Sequence, residues 1–151
     1  MQNGNRLAAF FRGTQDIIPE NEMKAERLAG LFEQTFLTAT IDEHGSVVVT
    51  MDDGLKVVVS PLRSVPMVKM FAAFGFRDDA EEIDKLRLLN TLNTKIIVTT
   101  YSMPFPDSLL VEFYLPYFDG MMPRQLVKAL RLFVQCAVGG IREHDSMGLV
   151  G

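Results

Sequence analysis

Two histidines, one cysteine and a few neighbouring carboxylates are the residues best suited to chemistry in this sequence. A metal site needs three or four such groups held at fixed spacing. His44 stands beside Gly45 and His144 lies in a polar stretch near residue 145, and neither has a second His or Cys nearby. Both read as surface histidines. Asp42, Asp52 and Asp53 lack the alternating ligands and closing Glu of a calcium loop, and turn chemistry accounts for them. Cys136, between Phe133 and Ala137, reads as a buried thiol packed like a small hydrophobe. A reactive thiol would want a base and an electropositive setting, and neither adjoins it. Gly139-Gly140 reads as a helix-weakening step rather than a phosphate loop. No nucleophile, base and orienting group can be assembled. The expectation is no enzyme, no metal and no cofactor.

Other residues point to binding. Arg124, Lys128 and Arg131 fall at i, i+4 and i+7 of one helical pattern, with no acidic residue between Gly120 and Arg142. They form either a solvated face or a docking strip for an acidic partner. Phe10 and Phe11 sit in a loose arm over residues 1–20 and could dock on a groove of the same chain or a neighbour. Asn90 and Asn93 are one helical turn apart in a place where asparagine is a poor interior residue. They read as closing a helix and fixing the strand that follows, with a binding role as the alternative. Met67, Met70, Met121 and Met122 read as gap fillers in a core, or as part of an adaptable surface.

These residues must be positioned by regular elements. Leu28, Leu31, Phe32, Thr35 and Phe36 recur at helical spacing and predict a helix over 22–38, with Asn21 as its cap. Val47–Val49 and Val57–Val59 flank Asp53-Gly54, which predicts a hairpin with a tight primed turn. Met67 to Phe76 alternates and predicts a strand; one over 38–42 would be short. Asp79 and Glu82 form a capping box that opens a second helix, running to about Lys95. Ile96–Tyr101 and Leu109–Leu115 predict two more strands, separated by a turn over Met103–Asp107. Leu126, Val127, Leu130, Phe133, Val134, Ala137, Val138 and Ile141 make the stripe of a last helix. The order is helix, three strands, helix, two strands, helix. It implies an α+β fold in two layers, an antiparallel sheet with helices packed on one face.

Composition sets the outer limits. The 151 residues are 48% hydrophobic and 23% charged, as in soluble globular chains and unlike disordered ones. A formal charge of −4, from 15 Lys+Arg against 19 Asp+Glu, is no footprint of a nucleic-acid binder. Apolar runs are far shorter than the ~20 residues of a spanning helix, so no membrane partner is expected. Arg12 cuts the apolar run Leu7–Phe11 too soon for a secretory signal. With a lone cysteine, this makes a cytoplasmic setting the expectation.

Three stretches resemble the YbjN-like family, whose members carry the description "putative bacterial sensory transduction regulator". They are Ile41–Val49, Leu88-Leu89-Asn90-Thr91-Leu92-Asn93, and Leu115-Pro116 with Asp119-Gly120 and Pro123–Leu130. The resemblance implies a type III secretion chaperone-like fold and a small, non-catalytic, dimeric module acting on another protein. The expected layout is an N-terminal arm over 1–20, one YbjN-like domain over 21–145 and a tail over 146–151. A small-ligand-sensing domain, holding an apolar molecule between sheet and helices, is the alternative.

A homodimer is expected through the second helix. Ile83, Leu86, Leu88, Leu89 and Leu92 span about 220° of its circumference, at ~100° per residue. A helix on one sheet needs a stripe of only ~100° or somewhat more. The surplus would seek a symmetric partner unless the N-terminal arm or the last helix covers it. Lys85 falls inside the arc.

Overall fold

The computed structural model describes residues 16–151; Phe10 and Phe11 lie outside them. Among the described residues, three helices and a six-stranded antiparallel sheet form an α+β fold. The helices are α1 (Ala25–Gln34), α2 (Glu82–Lys95) and α3 (Pro123–His144). The strands are β1 (Thr38–Ile41), β2 (Val47–Thr50), β3 (Lys56–Pro61), β4 (Met67–Gly75), β5 (Thr100–Phe105) and β6 (Ser108–Pro116). Their order in the sheet is β1-β2-β3-β4-β6-β5. Four strands thus precede α2, not three, because the short 38–42 segment does pair, Thr38 opposite Thr50 and Ile41 opposite Val47. The described residues form two compact units: 16–69 with Tyr114–Leu130, and Met70–Phe113 with Arg131–Gly151.

In the first unit, α1 is shorter at both ends than the apolar spacing predicts. Residues Glu20–Glu22 form a 3-10 turn, and Lys24, still extended, is the N-cap, so Asn21 caps nothing. At the other end Phe36 turns left-handed at φ 67°. Its amide bonds to Glu33 O and that of Leu37 to Phe32 O, which closes the helix in a Schellman motif. Leu28, Leu31 and Phe32 are buried, and α1 packs on β1 and β2.

Both hairpins of this unit turn through three residues rather than two. Asp42 N donates to Ser46 O around Glu43-His44-Gly45, and Met51 N to Leu55 O around Asp52-Asp53-Gly54. Only the glycines have positive φ, 76° at Gly45 and 87° at Gly54, so neither is a primed turn. The aspartates serve as expected: Asp42 Oδ1 accepts from the His44 and Ser46 amides, and Asp53 Oδ1 from that of Leu55. Ile18, within the 1–20 segment, is buried and bridges to Met121 through paired backbone bonds of 2.8 and 2.9 Å. Gly120 (φ 101°) makes that bridge possible, since a Cβ there would collide with Ile18 O.

In the second unit, α2 starts two residues later than the capping box predicts. Asp79 is drawn instead to the Arg77 guanidinium, at 2.6 and 2.9 Å, and Glu81 is the N-cap with no side-chain bond. The bidentate pair engages both carboxylate oxygens with a charged donor, whereas a cap would offer one oxygen an uncharged amide. The following strand also starts later, at Thr100, and Ile97 is left 96% exposed. β5 continues through Met103 and Pro104 to Phe105, where a turn is predicted. Proline is tolerated there because β5 is an edge strand, and the register slips between Ser102 and Phe105. Residues 146–151 pair with the chain at the end of β4: Val150 bridges to Phe76, and Leu149 is buried.

Candidate interaction surfaces

The structure divides the apolar arc of α2. Leu88, Leu89 and Leu92 are buried, whereas Ile83 is 50% and Leu86 45% exposed. On a helical wheel the buried three cover about 100°, and the exposed pair spans ~60° beginning about 60° further round. The first figure is what a helix lying on a sheet requires, and α2 does pack on β5. Asn90, also exposed, falls between Ile83 and Leu86 on the wheel. Lys85 is buried within the covered stripe rather than lying along its edge. Its Nζ donates to Pro106 O at 2.7 Å and lies 5.3 Å from the Phe76 ring centre, so the charge has a carbonyl and a π face.

Asn93 closes α2 as the sequence suggests. Its Nδ2 donates to Tyr101 O and its Oδ1 accepts from Tyr101 N, both at 2.8 Å. One amide side chain thus extends the ladder beside β5. Asn90 does no such work. The Tyr101 hydroxyl donates to Cys136 O at 3.0 Å, and burial pushes its pKa above the usual phenol range. Gly140 faces this cluster: a Cβ there would lie 2.7 Å from the Tyr101 oxygen and 3.1 Å from Ile96 Cγ1. The helix-weakening reading of Gly140 is therefore corrected. The glycine lets the end of α2, β5 and α3 approach. Gly139 meets nothing within 4 Å.

Arg124, Lys128 and Arg131 are all exposed along α3. The Cys136 residue is half-buried, less enclosed than its apolar neighbours suggest. His44 is exposed, with Glu43 at 3.6 Å. Among the described residues no three His, Cys, Asp or Glu groups gather as a metal site would require. Met70 and Met121 are buried, Met67 is half-buried, and Met122 is 43% exposed. Among the described residues no helix is long and apolar enough to cross a membrane.

Other exposed side chains carry no signal in the sequence. Ile17, Phe36, Val65 and Phe118 stand out of the first unit, and Ile97, Phe105 and Met147 out of the second. A concavity of about 430 Å³ in the first unit is lined by Glu20, Arg63, Ser64 and Tyr117, among others. Burial and the nearby Glu20 charge raise the Tyr117 pKa. Such mixed polar lining offers little to an apolar ligand.

The family model described as "YbjN: Putative bacterial sensory transduction regulator" matches residues 24–139. The chain belongs to the YbjN family. YbjN of E. coli has a crystal structure that superposes with a TM-score of 0.67 at 13% identity, covering 83% of this chain and 94% of that one. The Yersinia pestis type III secretion chaperone SycH, solved in complex with a stable fragment of YscM2, gives 0.52 at 19% identity, over 74% and 94%. At these identities the likeness is one of fold, and the chaperone-like fold expected from the sequence is the one found. No curated protein matches the chain.

Proposed function

We propose that the chain is a non-enzymatic, homodimeric, cytoplasmic module that binds another protein, as a sensory regulator or chaperone-like factor. The observation that carries this is the outer face of α2. Ile83 and Leu86 stay about half exposed although the same helix buries three leucines inside its own unit. A large aliphatic side chain left in water forfeits up to ~1.5–3 kcal/mol relative to burial. One apolar patch on a helix suits a two-fold interface, in which the same surface serves both subunits. Membership of the YbjN family supports a regulatory role. A relative in fold whose structure holds a bound protein fragment supports a protein as the target. The exposed row Arg124, Lys128 and Arg131 favours an acidic stretch in that target.

Light scattering at micromolar concentration tests the dimer. The native chain is expected at twice the chain mass. Ile83→Glu with Leu86→Glu is expected at one chain mass, still cooperatively folded, with a melting temperature lowered only by the loss of association. A native protein at one chain mass would refute the dimer. Pull-down from bacterial extract, read by mass spectrometry, tests the partner. A stoichiometric protein that is lost when Arg124, Lys128 and Arg131 become Glu supports the reading. A co-purifying small molecule with no protein overturns it in favour of ligand sensing.

A further inference from the structure

The segment 145–151 is built like a bound peptide. Beyond α3 it doubles back at Gly148 (φ 61°) and lies antiparallel to the last residues of β4. Arg77 N donates to Leu149 O at 2.8 Å and Gly151 N to Gly75 O at 3.0 Å, on either side of the Phe76–Val150 bridge. Phe76 N points the other way, to Asp107 O. The end of β4 therefore has one flank filled by the turn before β6 and the other by this segment alone. Leu149 is 6% exposed and lines, with Leu88, Thr91 and Met147, a concavity of about 210 Å³. One buried apolar side chain with main-chain bonds on each side is how an extended peptide adds to a sheet edge.

What holds the segment is slight and mostly local. Asp145 accepts the Leu149 amide on Oδ1 and the Val150 amide on Oδ2, both at 2.9 Å. Arg77 NH1 donates to Gly148 O at 3.2 Å, and the same guanidinium is gripped by Asp79. Two main-chain bonds, one leucine, one aspartate and one arginine bond tie it to the unit, in contrast to β6, which is paired on both sides in the sheet. Segments with so few buried contacts open far below the cost of global unfolding.

We propose that 146–151 is a displaceable self-ligand, occupying a sheet-edge site that accepts an extended Gly-Leu-Val-type peptide of a partner protein. Displacement bares together the Gly75 carbonyl, the Arg77 amide and the surface that buried Leu149 covers. The proposal deepens the protein-binding reading and can fail separately from it. The self-ligand also lowers apparent affinity, because only the open fraction binds.

Two measurements on the full chain test this. Native-state hydrogen exchange is expected to show the Arg77, Leu149, Val150 and Gly151 amides exchanging at least about tenfold faster than Leu92, with little dependence on denaturant. Exchange of these amides only with the core would overturn the proposal and leave the dimer, judged by mass, untouched. The second probe is a labelled peptide Asp-Ser-Met-Gly-Leu-Val-Gly, followed by fluorescence anisotropy. Asp145→Asn frees the segment, and Leu149→Ser independently removes its buried apolar anchor should the first variant fold poorly. Either is expected to bind the peptide about tenfold or more tighter than the native chain, and to lose it when the peptide leucine becomes serine. Equal or absent binding in the folded variants would overturn the proposal.

Discussion

Helices α1 and α2 solve the same problem with different remainders. Neither has a side-chain N-cap, so both owe their position to packing rather than to local signals. In α1 the apolar stripe of Leu28, Leu31 and Phe32 is fully buried, and within the helix no large apolar side chain is left out. In α2 the buried stripe is matched by a second one, Ile83 and Leu86, that its unit does not cover. The width of an apolar arc alone does not say how much of it a fold will use. The part beyond ~100° is where an interaction surface is to be sought.

The largest test of this contrast is truncation of the buried stripes. Leu28→Ala and Leu92→Ala each remove a side chain that is 0% exposed, and each is expected to cost about 2–5 kcal/mol in urea unfolding. Ile83→Ala is expected to stay within ~0.5 kcal/mol when the chain is monomeric. A cost for Ile83→Ala near that of Leu92→Ala in a monomer would erase the distinction between the two faces of α2.

A second test concerns what α2 leans on. Gly140→Ala brings a Cβ within 2.7 Å of the Tyr101 hydroxyl, which is itself tied to Cys136 O. The expected loss is about 1–3 kcal/mol. Gly139→Ala meets nothing and is expected to gain about 0.5–1 kcal/mol from helix propensity. Thermal unfolding of the pair separates packing from propensity, and equal effects would refute the packing role.

A third test contrasts the two asparagines. Asn93→Ala deprives both Tyr101 backbone groups of their partner, at an expected ~1–3 kcal/mol. Asn90→Ala is expected to be neutral or to gain a few tenths. Denaturant midpoints read both, and equal losses would mean that Asn93 does not fasten β5.

What could be read from the sequence was local. The Asp42 and Asp53 turns, the alternation of Val68, Met70 and Ala72, and the buried face of α3 each follow from residues a few positions apart. Where the reading slipped, a distant or stronger local partner had intervened. Asp79 left the α2 cap for Arg77, and Gly140 answers to Tyr101 and Ile96, about forty residues away. The candidate surface was legible only in part. The arc on α2 is visible as a pattern, but which leucines face inward depends on β5, whose start no periodicity marks. The segment 145–151 shows no periodicity in sequence, and its order comes from Asp145 together with the distant Gly75 and Arg77.

The smallest expected effect lies at the end of α1. Position 36 is the left-handed residue of a Schellman motif, where glycine is favoured because a Cβ crowds the following carbonyl. This chain has phenylalanine there, at φ 67° and 61% exposed. Phe36→Gly is expected to stabilise by about 0.5–1 kcal/mol, since relief of the left-handed strain outweighs the lost glycine entropy. Phe36→Ala keeps the strain and removes the ring, so it is expected to gain nothing. If both variants stabilise equally, the ring rather than the backbone is the source, and the exposed phenyl is itself a liability in the isolated chain. If only glycine stabilises, α1 carries a strained aromatic outside its buried stripe. Strain retained at an exposed side chain is a mark of a functional contact, which would give α1 an outward-facing group of its own beside the Ile83 and Leu86 pair of α2.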